Sequence, residues 1–71
     1  MIKCHLSKLM GLQRIKISEL ARATGLNRNT ITLLFKEEAS RVELDTIEKL
    51  CEYFNCPISE LFEYIPNKKT K

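Results

Sequence analysis

Apolar residues recur at intervals of three and four along most of the chain, which is the period of α-helices that bury one side. The first such group predicts a helix that ends or bends near Gly11. Residues 17–24 predict a second helix, which Gly25 closes because glycine readily adopts the left-handed conformation of a helix end. The apolar residues assigned to the inner faces of these two helices are Ile2, Leu6, Leu9, Met10, Leu20 and Ala21.

A third helix is predicted to follow Asn27, whose side chain suits the N-cap position, and to extend over residues 28–36. Its inward stripe consists of Ile31, Leu34 and Phe35. With that stripe fixed inward, the rotation of about 100° per residue places another set of side chains on the outer side of the helix. That outer set is Arg28, Asn29, Thr32 and Leu33.

The second half of the chain predicts two further helices after the polar connection KEEASRVE. Asn55 suits the left-handed closing position of the fourth helix, and Pro57 suits the first turn of the fifth. No alternating strand pattern, repeat or low-complexity segment competes with helices, so an all-α fold of five helices is predicted. The apolar stripes are Leu44, Ile47, Leu50, Cys51 and Phe54 in the fourth helix and Ile58, Leu61, Phe62 and Ile65 in the fifth.

The length of 71 residues suits one domain with a single small core. We assign residues 1–66 to this domain and residues 67–71, NKKTK, to a basic C-terminal tail. The sequence has no apolar run of about 20 residues that would span a membrane and no secretory signal at its start. We therefore expect no membrane contact and a cytoplasmic location.

Three cysteines, an odd number without C-x-x-C spacing, fit neither a disulfide framework nor a usual zinc site. Cys51 and Cys56 occupy apolar positions of the pattern, which predicts small, buried and unreactive core residues. We expect no metal, no cofactor and no small-molecule ligand. An enzyme is not expected either, because the sequence has one histidine, no glycine-rich loop and no plausible pair of nucleophile and base.

The net charge of +3 conceals a separation of charge along the chain. Residues 1–36 contain seven Lys or Arg and one acid, whereas residues 37–66 contain two Lys or Arg and eight acids. The tail adds three lysines. This separation places a positive field over the first half and repels polyanions from the second, although ordinary solvated charge would account for it as well.

The stretch ELARATGLNRNTITLL, residues 19–34, has the features needed for two helices that cross at close range. Ala21 offers a small contact residue, and Gly25 permits a tight turn with positive φ. A second stretch, LDTIEKLCEYFNCPISELF, carries the fourth and fifth helices. Both stretches resemble the Cro and phage-repressor family of helix-turn-helix proteins, also called the Xre type, over about residues 3–65. The motif positions that carry the resemblance are Leu20, Ala21, Gly25, Leu26, Ile31 and Leu34.

The resemblance implies a compact, lambda-repressor-like DNA-binding domain in which helices two and three form the helix-turn-helix. The third helix, around residues 28–36, would enter the major groove and read bases with Arg28, Asn29, Thr32 and Leu33. Arginine suits guanine, asparagine suits adenine, and Thr32 or Leu33 suits a thymine methyl group. The implied phosphate contacts are Lys16, Ile17, Ser18, Thr30, Lys36 and Arg41.

Three places depart from the family's usual pattern. Lys16 stands where Ser or Thr commonly caps the second helix, and Phe35 replaces a residue that is often acidic. Glu37, Glu38 and Ala39 stand where a glycine turn is usual. These two carboxylates would repel DNA if they faced it, so the geometry of this loop decides whether the end of the third helix can approach a phosphate backbone.

The residues and the resemblance together predict a transcriptional regulator of bacterial or phage type that binds double-stranded DNA sequence-specifically, with a repressor favoured. The alternative is an antitoxin-like protein or a helix-turn-helix module that binds protein, which a negative second half and an apolar last helix would serve. One reading helix covers only a few base pairs, so a homodimer on DNA is expected. Its predicted contact surface is the fifth helix, with Leu61, Phe62, Tyr64 and Ile65.

Overall fold

Five helices account for most of the computed structural model, which describes residues 1–66. The predicted basic tail, residues 67–71, lies outside the described residues. The second, third and fourth helices lie where the sequence predicts them. In chain order the elements are β1 (Ile2–Cys4), α1 (Leu6–Gln13), α2 (Ile17–Thr24), α3 (Arg28–Phe35), α4 (Leu44–Phe54), α5 (Ile58–Leu61) and β2 (Phe62–Tyr64).

The two ends of the described chain form a small antiparallel sheet, so the all-α prediction is wrong on this point. Strand β1 pairs with β2 in a register that sets Lys3 opposite Glu63. Main-chain bonds extend the pairing, because the Met1 amine donates to the Ile65 oxygen at 2.7 Å and His5 N–H donates to the Leu61 oxygen at 2.8 Å. The predicted first helix therefore begins at Leu6, and the predicted fifth helix ends at Leu61.

The first helix runs through Gly11 and ends at Gln13, two residues beyond the glycine near which its end was predicted. The end comes instead at Arg14, which adopts the left-handed conformation with φ 55°. Arg14 N–H donates to the Gly11 oxygen at 3.2 Å, and Ile15 N–H donates to the Met10 oxygen at 3.1 Å. These two bonds form a Schellman-type end, in which the backbone of a non-glycine residue closes the helix.

Each of the five helices contributes one fully buried side chain to the core. Ile2, which was predicted to lie on the inner face of the first helix, belongs to β1 and is 64% exposed. The core positions predicted for Leu44 and Ile58 are also wrong, because these residues are 81% and 54% exposed. Each is the first residue of its helix. No earlier turn of the helix lies before it to direct its side chain toward the core. Thr46 is buried on α4 instead. The five fully buried residues are Leu6, Leu20, Ile31, Leu50 and Leu61.

Among residues 1–66, no helix has both the length and the apolar character that crossing a membrane requires. The same residues contain no cluster of three or more potential metal ligands.

Candidate nucleic-acid interface

Helices α2 and α3 are joined by a short turn that begins at Gly25. Gly25 adopts φ 78°, and its N–H donates to the Ala21 oxygen at 2.8 Å. A Cβ at this position would meet nothing within 4 Å, so the glycine serves the left-handed backbone and not a close approach. Ala21 itself is buried, as a small residue at a helix contact should be. The predicted turn residue and the predicted contact residue are therefore both confirmed.

Polar side chains hold the turn and fix the start of α3. The Thr24 hydroxyl donates to the Leu20 oxygen at 2.7 Å and accepts the Leu26 N–H at 3.2 Å. Asn27 caps α3, because its Oδ1 accepts the Asn29 N–H at 2.7 Å. These bonds satisfy backbone groups that the turn would otherwise leave unpaired, so the first turn of α3 has a defined direction.

The exposure along α3 follows the predicted rotation. Ile31 and Leu34 are buried, whereas Arg28 and Asn29 are exposed at the start of the helix. Phe35, which was predicted to point inward, is 39% exposed because the helix ends at this residue.

Thr32 and Leu33 lie one turn further along α3 and are half-buried. The Thr32 hydroxyl donates to the Arg28 carbonyl oxygen at 2.8 Å, within the helix. Its hydrogen is therefore already used, and the methyl group is the part of the side chain that remains for an apolar contact. The four predicted base-reading residues thus share one helix, and Arg28 and Asn29 are the most exposed of them.

The six predicted phosphate contacts fall into two groups by exposure. The charged residues are exposed, and none of them forms an ion pair within residues 1–66. The uncharged residues are half-buried, so their main-chain groups or hydroxyls would have to make the contact. The exposed group is Lys16, Lys36 and Arg41, and the half-buried group is Ile17, Ser18 and Thr30.

The start of α2 is only partly capped, as the lysine in its N-cap position predicts. Lys16 N–H donates to the Glu19 Oε1 at 2.9 Å, which is one half of a capping box. The other half is absent, because a lysine side chain has no acceptor for the N–H groups of the first turn. The opening N–H groups of α2 therefore have no side-chain partner in the part of the chain that is described.

Glu37, the first of the two acids after α3, contacts strand β1 of the terminal sheet. Its backbone is left-handed, with φ 59°, and its side chain is directed toward strand β1. Glu37 Oε1 accepts the Cys4 N–H at 3.1 Å, and Oε2 lies 3.9 Å from the Lys3 ammonium. Because β1 pairs with β2 through its other edge, the Cys4 N–H would otherwise be unpaired. One of the two carboxylates is therefore held on the terminal sheet, while Glu38 is exposed.

Sequence reasoning missed this contact, because its donor is a main-chain group 33 residues away in the sequence. The only local signal was the acidic residue itself at the position where a glycine turn is usual.

A family model described as the Cro/C1-type HTH DNA-binding domain matches residues 5–67. Two similar relatives, one from Rickettsia prowazekii and one from Rickettsia conorii, are each named as an uncharacterized HTH-type transcriptional regulator. Each is 31% identical to this chain over 65 residues, which covers 87% of the chain. The match covers 71% of the first relative and 60% of the second, so both relatives are longer than the matched region.

Proposed function

The chain belongs to the Cro/C1-type helix-turn-helix family of DNA-binding domains, and from this premise we propose that it is a sequence-specific transcriptional regulator that acts as a repressor. The observation that carries the proposal is the exposure pattern of α3. Arg28 and Asn29 are exposed at the capped start of the helix, while Ile31 and Leu34 bury its opposite side. The protein would act by occupying its site on DNA, without catalysis, cofactor or small-molecule ligand.

In this proposal α3 lies in the major groove and each exposed side chain has a defined task. Arg28 donates two hydrogen bonds to a guanine, and Asn29 pairs with an adenine. Thr32 and Leu33 present methyl groups toward a thymine, which suits a threonine whose hydroxyl is bonded within the helix.

The positioning contacts would come from both ends of the motif. Lys16 and the uncapped N–H groups at Ile17 and Ser18 would hold one phosphate group at the start of α2. Thr30, Lys36 and Arg41 would contact the backbone beside α3. These contacts fix the register of the protein on the duplex and carry no sequence information, so their loss weakens binding to all sequences alike.

The test is selection of bound sites from a random DNA library, followed by binding to single-base variants of the selected site. Arg28→Ala should lose about 1–3 kcal/mol on the preferred site and relax discrimination at one base pair, and Asn29→Ala should do the same at a neighbouring pair. Arg22→Ala is the matched control, because Arg22 is an exposed arginine on α2. It should leave the base preference unchanged.

Thermal unfolding of the same variants separates a loss of reading from a loss of fold. Arg28 and Asn29 are both exposed, so their replacement should cost little stability. Folded variants that keep the full base preference of the original protein would show that α3 is not the reading helix.

We also propose that the protein binds DNA as a homodimer, through a surface that keeps Tyr64 from the predicted one but excludes Leu61. Leu61 is fully buried and belongs to the core, so it is unavailable to a partner. The terminal sheet offers a better surface, because Tyr64 is 67% exposed and lies in register with Ile2, which is 64% exposed. Two apolar side chains next to each other on a sheet are suited to an isologous contact.

Sedimentation with and without the selected site tests this dimer. Tyr64→Lys should reduce the complex from two proteins to one protein per selected site. Leu12→Lys is the control, because Leu12 is 73% exposed and lies on α1, away from the sheet. A one-to-one complex of the original protein on a non-repeating site would refute the dimer.

The second candidate is an antitoxin-like or protein-binding module, which the acidic surface of α4 favours. Four exposed acids lie in or just before this helix, and such a surface suits a basic protein partner. Binding to a random duplex at low salt discriminates the two, because a DNA-binding regulator retains non-specific affinity there and a pure protein binder does not. These acids are Glu43, Asp45, Glu48 and Glu52.

A further inference from the structure

Helix α4 ends in a turn that brings two cysteines together. Asn55 adopts the left-handed conformation with φ 52°, and the Cys56 N–H donates to the Cys51 oxygen at 3.1 Å. This bond is the one that closes a Schellman motif, in which the two residues it joins usually make an apolar side-chain contact. Here both residues of that contact carry thiols.

The two thiols differ from the third cysteine in being accessible. Cys4 is buried, whereas Cys51 and Cys56 are half-buried and line one surface pocket with Glu48, Glu52, Asn55 and Pro57. All three cysteines are free. Cys51 is also close enough to act on the pKa of the Cys56 thiol. Both residues pack against the core as expected, but their burial is only partial.

A disulfide requires Cα atoms roughly 4.4–6.8 Å apart and side chains that point toward each other. Cys51 and Cys56 are joined by a main-chain hydrogen bond across a turn and line the same pocket, so the fold brings the two residues close together. We propose that Cys51 and Cys56 form a dithiol site that closes reversibly to an intramolecular disulfide by exchange with a small, cationic disulfide.

The preference for a cation follows from the acids around the site. Glu48 and Glu52 line the pocket, and Glu60 is close enough to act on Cys56. The pKa of the Cys56 thiol is raised, mainly by burial and further by the neighbouring Cys51 and Glu60. A cationic reagent offsets the negative field that opposes thiolate formation, while an anionic reagent such as glutathione disulfide is repelled by it.

The exchange proceeds in two balanced steps. One protein thiolate attacks a sulfur of the small disulfide, so that a mixed disulfide forms and one small thiolate leaves and takes up a proton. The second protein thiolate attacks the protein sulfur of the mixed disulfide and releases the second small thiol. The protein loses two electrons and two protons, and the small disulfide is reduced to two thiols. A small dithiol reverses the reaction.

The experiment treats the reduced full chain with cystamine, which is dicationic, with neutral hydroxyethyl disulfide and with glutathione disulfide, and follows products by mass spectrometry and peptide mapping. Cystamine should give a Cys51–Cys56 bond with Cys4 still free, at least about tenfold faster than glutathione disulfide at low salt. The ratio of the two rates should fall as salt is added.

Variants separate the two parts of the proposal. Cys51→Ser and Cys56→Ser should each stop at the mixed disulfide. Glu52→Gln should lower the preference for cystamine, whereas Glu43→Gln should not, because Glu43 precedes the other end of α4. The proposal is overturned if the original chain also stops at the mixed disulfide, if Cys4 or a second chain supplies the partner sulfur, or if Glu52→Gln leaves the rate ratio unchanged.

Discussion

Replacing Glu37 with alanine should destabilise the protein, because this side chain joins the end of α3 to strand β1. The carboxylate accepts the Cys4 N–H at 3.1 Å and lies 3.9 Å from the Lys3 ammonium. Alanine removes both contacts and leaves the Cys4 N–H without its partner. It also retains the left-handed backbone at position 37, where φ is 59°.

The magnitude follows from two contributions, a hydrogen bond and an ion pair. A hydrogen bond to a charged acceptor is worth about 1.5–3 kcal/mol when it is shielded from water. The Glu37 side chain is 38% exposed, so we place this bond near the lower end of that range. The ion pair with Lys3 is exposed and adds less than about 1 kcal/mol. We therefore expect Glu37→Ala to cost about 1–2 kcal/mol.

Two further substitutions at the same position separate the bond from the backbone. Glu37→Gln keeps an acceptor oxygen and loses the charge, so its cost should stay below about 1 kcal/mol. Glu37→Gly loses the bond but relieves a left-handed conformation that costs a non-glycine residue about 1 kcal/mol. It should therefore be more stable than Glu37→Ala by about that amount.

Urea denaturation measures these differences, and thermal unfolding gives an independent reading of about 4–8 °C per kcal/mol for a domain of this size. Glu38→Ala is the control, because Glu38 is the adjacent exposed acid and its side chain makes no hydrogen bond or ion pair within residues 1–66. It should change the unfolding free energy by less than about 0.5 kcal/mol. The reasoning fails if Glu37→Ala is equally harmless, or if the alanine and glycine variants are equally stable.

Three further predictions follow from single contacts or charges. Removing Lys16, Lys36 or Arg41 should flatten the slope of log affinity against log salt by roughly one unit for every DNA sequence, and a change in base preference would contradict the phosphate role. Asn27→Ala should lower the unfolding free energy by about 1 kcal/mol in urea, because it removes the cap of α3. Burial raises the pKa of the Cys4 thiol above 9.0, so the unfolded chain ionises first and the unfolding free energy should fall as pH rises above about 9. Cys4→Ala should show a shallower alkaline decline.

The sequence predicted helices α2, α3 and α4 well because their ends depend on local signals. Gly25, Asn27 and Asn55 each act on backbone groups within a few residues, so their chemistry can be read from their immediate neighbours. The rotation of α3 was equally accessible, since Ile31 and Leu34 define its buried side without reference to any other element. The exposure of Arg28 and Asn29 follows from the same two residues.

The terminal sheet could not be predicted in the same way. Its strands have three residues each, which is too short for an alternating pattern, and Lys3 pairs with Glu63 from the far end of the sequence. Residues 62–65 are rich in apolar side chains at spacings that a helix would share, so the local pattern favoured the wrong element. The exposure of Leu44 and Phe35 has a related cause. Helical periodicity shows which residues share a face, but it does not show that a residue at the very end of a helix is left exposed.

The contact between Glu37 and the sheet affects where negative charge lies near the candidate interface. An acid at the end of α3 lies close to the surface that would approach DNA, yet its carboxylate is held by Cys4 N–H and partly balanced by Lys3. Of the two acids that replace the expected glycine turn, Glu37 therefore directs its negative charge toward the sheet, while Glu38 is exposed. Asn27 fixes the start of α3, and Glu37 fixes the backbone just beyond its end. Strand β1 carries none of the predicted base-reading residues, which all lie in α3, so changes in β1 should alter affinity for all sequences and leave base preference intact.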